Sequence, residues 1–182
     1  PETGPSLFSS SIALLSGIDG TPRAAALPTS SPSPGGRGVS PASVPPGSDR
    51  HRRFARSTDG GKTFSANVKL SRDTSGALQL GSVLSADAAG NVYVVWEDLR
   101  DDPTSGKDIY IAVSTDFGQS FTESPLVVDP GPQGNPTVSA KGAGEVLVAW
   151  EDILSGNVYL TRSANRGVTF EPPRPIFDIP IP

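Results

Sequence analysis

The 182 residues carry 15 Lys and Arg against 19 Asp and Glu, a net charge of −4, with 19 prolines, 20 glycines and neither cysteine nor methionine. The lack of cysteine excludes disulfides and cysteine-based metal or redox chemistry and leaves the compartment open. The mild acidity fits a soluble protein and names no partner.

The sequence begins at Pro1 without a methionine and reads as part of a longer chain, so the lack of a visible leader carries no information. Residues 9–18 (SSSIALLSGI) are apolar over too few positions to cross a bilayer, and a short packed strand or helix is expected there. From Gly20 to Ser48 the chain is rich in Pro, Ser, Gly and Ala. Such a stretch buries too little apolar surface to offset its ordering entropy, so residues 1–49 are expected to form a largely disordered, low-complexity region. The run Arg50-His51-Arg52-Arg53-Phe54-Ala55-Arg56 is compatible with nucleic acid or an anionic membrane. Against this, it occupies the place of a strand entering a turn, and residues 57–182 hold 9 Lys and Arg against 16 Asp and Glu, or −7. No nucleic-acid partner and no membrane span are expected.

An eight-residue figure then occurs three times: STDGGKTF (57–64), STDFGQSF (114–121) and SANRGVTF (163–170). Ser57, Ser114 and Ser163 with Asp59, Asp116 and Asn165 accept backbone N–H bonds inside a tight turn. Gly61, Gly118 and Gly167 supply a positive φ, and Phe64, Phe121 and Phe170 start the outgoing strand with a ring that is expected to pack under the turn. A second repeat keeps step with the first. NVYVVWED (91–98) matches EVLVAWED (145–152), placing Trp96 and Trp150 54 residues apart, and each is followed by an Ile/Val-Tyr strand that runs into the turn. One unit is therefore four strands, in the third unit roughly 135–141, 145–152, 157–163 and 169–177. Four strands at a period of about 50 residues are those of a propeller blade. The continuous apolar runs VYVVW and VLVAW need cover on both faces, which neighbouring blades supply. The expected fold class is all-β: four-stranded antiparallel blades in an incomplete ring, with a partial first blade over 50–78, a second over 79–130 and a third with its tail over 131–182. Two and a half blades do not close a ring, so further blades are expected from missing sequence or from another chain.

The pattern S-x-D-x-G-x-x-F resembles the Asp box, or BNR repeat, of the sialidase superfamily of β-propellers, over about Arg53 to Ile176. The resemblance implies a secreted or cell-surface sialidase-like glycosidase acting on glycans. A non-catalytic propeller module that binds glycan or protein stands close beside it, and a truncated product without activity of its own is the third alternative. In the family the Asp boxes are structural turns, and the catalytic groups come from the opposite face: three arginines, a Tyr nucleophile with a Glu partner, and an Asp acid/base. No catalytic set is identified here, because the Arg-Ile-Pro signature is absent and Arg174-Pro175-Ile176 is in the wrong order.

Turns alternate sides in an antiparallel blade, so the ligand face should carry the loops at 71–80, 97–108, 129–135 and 151–156, opposite the eight-residue turns. Candidate ligand-face residues are Arg72, Asp98, Arg100, Asp101, Asp102 and Asp152. Glu97-Asp98 and Glu151-Asp152 repeat between units, which favours strand-end bonding over paired-carboxylate catalysis. The 99–108 loop is five residues longer than its counterpart, and Asp98, Asp101, Asp102 and Asp108 offer oxygen ligands for Ca²⁺, although an ordinary Asp/Pro/Gly turn is favoured and no cofactor is expected.

Overall fold

The structure, a computed structural model, describes residues 12–15 (backbone only), 51–59, 61–102, 106–142 and 144–176. The expectation of disorder between Gly20 and Ser48 falls outside them. The described strands are β1 (Ile12–Leu15), β2 (Arg53–Arg56), β3 (Val68–Lys69), β4 (Gln79–Ala86), β5 (Val92–Asp98), β6 (Asp108–Ser114), β7 (Thr122–Val127), β8 (Gln133–Lys141), β9 (Glu145–Asp152), β10 (Val158–Ser163) and β11 (Arg174–Pro175). They form three antiparallel sheets ordered β1-β2-β3, β4-β5-β6-β7 and β8-β9-β10-β11. The two tryptophan strands, β5 and β9, lie in different sheets. The sheets stack as blades of a β-propeller.

The first blade draws a strand from residues 9–18, where a short packed strand or helix was expected. β1 pairs with β2 from Ile12↔Arg56 to Leu15↔Arg53, taking the place that β5 holds beside β6 in the second blade. The fourth strand of the third blade is shorter than the 169–177 expected: β11 pairs only Arg174 and Pro175 with β10. Pro172, Pro173 and Pro175 each lack an N–H, which confines such a segment to the sheet edge.

The second blade shows why VYVVW is continuously apolar. Val92, Tyr93, Val94, Val95 and Trp96 are all at most 1% exposed. Alternate side chains go to opposite neighbours. Val92, Val94, Trp96, Tyr110 and Ala112 join Phe54 and Leu70 of the first blade, whereas Tyr93, Val95, Ile109 and Ile111 join Val138, Val146, Val148 and Trp150 of the third. Each tryptophan stacks on its cross-strand tyrosine, Trp96 on Tyr110 at 6.2 Å and Trp150 on Tyr159 at 6.1 Å. β4 and β8 each carry a bulge at the same place, where Gly81 (φ 57°) and Asn135 (φ 50°) stand 54 residues apart.

The three turns share one hydrogen-bond pattern. In the second, Ser114 Oγ donates to Asp116 Oδ1 at 2.7 Å and accepts from the Gly118 N–H at 2.8 Å, while Asp116 Oδ1 accepts from the N–H of Gln119 and Ser120. The first turn repeats these bonds through Ser57 and Asp59, and in the third Asn165 Oδ1 takes Ser163 Oγ and the Thr169 N–H. Gly61, Gly118 and Gly167 have φ of 85°, 76° and 75°, and Phe117 and Arg166 beside the last two are also positive, at 60° and 62°. Consecutive left-handed residues give the turn the twist of the flanking strands.

Each turn is also the contact with the preceding blade. A Cβ on Gly118 would stand 2.5 Å from the Phe54 ring, and one on Gly167 would stand 3.0 Å from Val113 Cγ2, whereas Gly61 faces open space. Phe121 meets Phe54 edge-on at 5.0 Å, and Phe170 packs against the core between the second and third blades. Phe64 departs from the expectation of a ring packed under the turn: it is 43% exposed, since the described residues place no sheet before the first blade.

Two outcomes test this. Gly118→Ala should cost about 2–4 kcal/mol in urea unfolding, combining left-handed strain with overpacking against Phe54, and Gly61→Ala about 1 kcal/mol from strain alone. Equal losses would mean that the second turn does not press on the first blade. Burial acts to raise the Asp116 pKa, but the hydroxyls of Ser120 and Ser114 and two backbone N–H groups outweigh it and hold it at about 2. A carboxylate depressed in the folded state stabilises above its unfolded pKa of about 4, and this contribution is lost as pH falls through the folded value. The stability gap between the native protein and Asp116→Asn should therefore narrow between about pH 4 and pH 2; a constant gap across an acid titration would contradict the turn geometry.

Candidate functional site

The strand registers put two kinds of connection at opposite ends. Asp98 pairs with both Gln79 and Asp108, and Gln133 with Asp152, so the 71–80, 99–107, 128–132 and 153–157 segments share the end away from the eight-residue turns. Exposed apolar side chains gather at this end: Leu78, Leu80, Val128, Ile153 and Leu154, the last 74% exposed.

Between the first and second blades this end is built around Asp98, which is fully buried at the close of β5. Its carboxylate accepts from Trp96 Nε1 at 2.9 Å, Gln79 Nε2 at 3.1 Å, and the Arg100 backbone N–H, Nε and Nη2 at 3.0, 2.9 and 2.7 Å. Five donors fill the roughly four lone-pair sites of a carboxylate, so Asp98 is a strut. Arg100 folds back between the blades. Its Nη2 meets Glu123 Oε1 at 2.5 Å and Ser71 Oγ at 3.1 Å, and the guanidinium lies 3.9 Å from the Tyr110 ring centroid. Burial acts to lower the Arg100 pKa, but the hydrogen bonds and charges of Asp98 and Glu123 outweigh it and hold the cation above its usual value.

Arg52 joins the same region from the basic run. Its backbone N–H donates to Gln79 Oε1 at 2.9 Å and its guanidinium to the Gln79 carbonyl. Burial pulls its pKa below the usual value against the opposing charges of Asp98 and Glu97. Arg56, at the other end of β2, donates Nη1 to the Phe117 carbonyl at 2.9 Å. These two arginines thus bind blade to blade.

Glu97 performs the equivalent task between the second and third blades. It accepts Lys107 Nζ at 2.9 Å and the Asn135 N–H at 2.9 Å, and Asn135 Nδ2 continues to Glu151 Oε2 at 2.7 Å. Gly81 and Gly134 leave room beside its carboxylate, with Cβ positions 3.5 and 3.4 Å from Glu97 Oε1.

The remaining candidates separate by exposure. Asp101 is half-buried and accepts the Tyr110 hydroxyl at 3.3 Å. Asp102 is exposed, and its backbone closes turns with Leu99 and Gly106. Asp152 accepts the Ser155 N–H at 2.9 Å, which together with further bonds from Ser155, Leu154 and Gln133 holds its pKa below the usual carboxylate value against burial. Arg72 is exposed, and its backbone N–H donates to Glu123 Oε2 at 2.6 Å. Asp98, Asp101, Asp102 and Asp108 are not gathered: among the described residues no three His, Cys, Asp or Glu side chains form a group able to hold a metal ion.

Tyr110 has its pKa pushed up to about 12, first by burial, with Arg100 opposing and Asp101 and Asp98 reinforcing. Tyr93 is raised to about 12 by burial and by Asp87, at the end that carries the eight-residue turns. A phenol acting as a nucleophile needs the opposite shift.

Glu123, Gln79, Ser71, Asn135 and Lys107 were not among the sequence candidates. A usable signal existed only for the glutamines, since Gln79 and Gln133 share the 54-residue spacing of the tryptophans and both bond the strand-end aspartate.

No protein-family model matches the chain, and no curated protein matches it. Solved structures do. One is the α-L-arabinanase of Penicillium chrysogenum complexed with arabinobiose, 17% identical with a TM-score of 0.45, covering 66% of this chain and 40% of that one. Another is a Hadza microbial sialidase, 16% identical with a TM-score of 0.49, covering 66% of this chain and 30% of that one. Both are β-propeller glycoside hydrolases. The chain spans less than half the length of either.

Removing Arg100 strands two buried carboxylates, so Arg100→Ala should lower stability by about 3 kcal/mol, whereas the exposed Asp102→Ala should stay within about 0.5 kcal/mol. Thermal unfolding of the two variants checks this. An unchanged Tm for Arg100→Ala would return that arginine to the set available for a ligand.

Proposed function

We propose that the chain supplies three blades of a sialidase-like Asp-box propeller that acts on glycans outside the cell or at its surface. Its loop end would form part of the glycan-binding face. The observation that carries this proposal is the division of the molecule. The eight-residue turns occupy one end and serve blade packing, while the other end combines exposed Leu78, Leu80, Val128, Ile153 and Leu154 with exposed Arg72 and Asp102. Apolar patches edged by a few polar groups mark ligand surfaces.

Within that face these blades contribute binding rather than the reacting groups. Asp98 is saturated by protein donors, Glu97 is tied to Lys107 and Asn135, Arg100 is spent on Asp98 and Glu123, and Tyr110 is held protonated. The same facts favour a second reading, a propeller module that binds glycan without hydrolysing it.

A glycan array on this chain, together with a fluorogenic sialoside assay of the complete propeller that contains these blades over about pH 4 to 8, the range in which carboxylate acid/base pairs operate, separates the two. Binding with turnover supports the hydrolase, and binding without turnover the module. Arg72→Ala and Asp102→Ala should weaken glycan retention at least several-fold with Tm unchanged. Neither binding nor turnover would remove the glycan assignment altogether.

A further inference from the structure

The bulges of β4 and β8 hold equivalent places but are built differently. Residue 81 is glycine at φ 57°, whereas residue 135 is asparagine at φ 50°, a left-handed conformation that is costlier with a side chain than without one. Two bonds leave Asn135. Its backbone N–H donates to Glu97 Oε1 of the second blade at 2.9 Å, and its side-chain Nδ2 donates to Glu151 Oε2 of its own blade at 2.7 Å. Only the first joins the blades, and a glycine would make it equally well. The asparagine side chain is therefore not needed at the junction.

Other polar and apolar groups gather beside it. Asn135 is exposed, Glu151 is half-buried, and Ile153, just after β9, is 42% exposed. A Cβ on the adjoining Gly134 would stand 3.4 Å from Lys107 Nζ, 3.4 Å from Glu97 Oε1 and 3.0 Å from Ile153 Cδ1. An ammonium, a carboxylate and an apolar side chain thus converge on this point of β8. Lys107 donates one N–H to Glu97 Oε2 at 2.9 Å, and its side chain is 31% exposed. Among the described residues its two other N–H groups, Asn135 Oδ1 and Glu151 Oε1 meet no protein partner.

We propose that this junction of the second and third blades is a subsite for a neutral sugar, held by two adjacent ring hydroxyls. A hydroxyl both donates and accepts, so a vicinal pair matches a lysine donor, a carboxylate acceptor and an amide that does both. Ile153 offers an apolar side for the C–H face of a sugar ring. Charge selects a neutral residue. Lys107 offsets Glu97, and Glu151 leaves one negative charge, which repels the carboxylate of an acidic sugar. The inference rests on the glycan-binding reading of the loop end and narrows it to this place and this class of sugar.

A glycan array probed with the native chain and with two variants tests it. Neutral glycans should be retained, and periodate, which cleaves the carbon–carbon bond between adjacent hydroxyls, should abolish their retention. Asn135→Gly, which keeps the backbone bond to Glu97, should bind them about tenfold more weakly with Tm unchanged. Glu151→Gln leaves the backbone untouched and should weaken retention in the same sense. Neutral-glycan binding indifferent to both variants overturns the subsite, as does binding that survives periodate. Retention of acidic glycans alone also overturns it but leaves the glycan reading standing. If no glycan of either kind is retained, that reading and the subsite fall together.

Discussion

The fold depends on one contact used repeatedly: a left-handed glycine in a tight turn, laid against the strand of the blade before it. The turn is set locally by a serine and an aspartate or asparagine that satisfy its own N–H groups. Its energetic value is set elsewhere. A glycine lets two sheets approach to the distance at which Phe54 or Val113 fills the space that a Cβ would need. Each blade is a thin sheet with two apolar faces, so an isolated blade would expose both. The turn fixes the spacing at which each face becomes the neighbour's core.

Charge does the equivalent work at the opposite end. Loops must leave the sheets there, and leaving strands expose carbonyl and carboxylate groups between blades. Asp98 meets this with saturated bonding to Arg100, Trp96 and Gln79, and Glu97 with bonds from Lys107 and Asn135. Arg100 links three segments distant in sequence, the 71–72 loop, the end of β5 and β7, and lies on an aromatic ring. Buried pairs of this kind specify how the blades are registered more than they stabilise. The side chains that this framework does not use, Arg72 and Asp102 among them, are the ones left exposed at this end.

Much of this is legible in the sequence, and for a definite reason. Turn bonding, positive φ and strand alternation are local properties, so the three eight-residue figures and the two tryptophan strands each announce their own conformation, and their common spacing announces repetition. Even the departure at Asn165 is locally decidable, since an amide oxygen accepts the same N–H bonds as a carboxylate. Phe64 shows where local information stops. It has the same sequence context as Phe121 and Phe170, yet it is exposed, because its burial depends on a sheet it does not itself contribute.

The sequence by itself determined the strands, the turns, the four-stranded unit and the end of each blade on which loops would lie. Only the tertiary structure decided which of the loop-end charges remain exposed. Asp98, Arg100, Asp101, Asp102 and Arg72 are alike as residue types in polar loops. What separates them is Glu123, Gln79, Ser71 and Tyr110, drawn in from other strands. Whether a charge is a strut or a contact point depends on how many of its hydrogen-bond sites neighbours fill, and those neighbours are adjacent in space rather than in sequence.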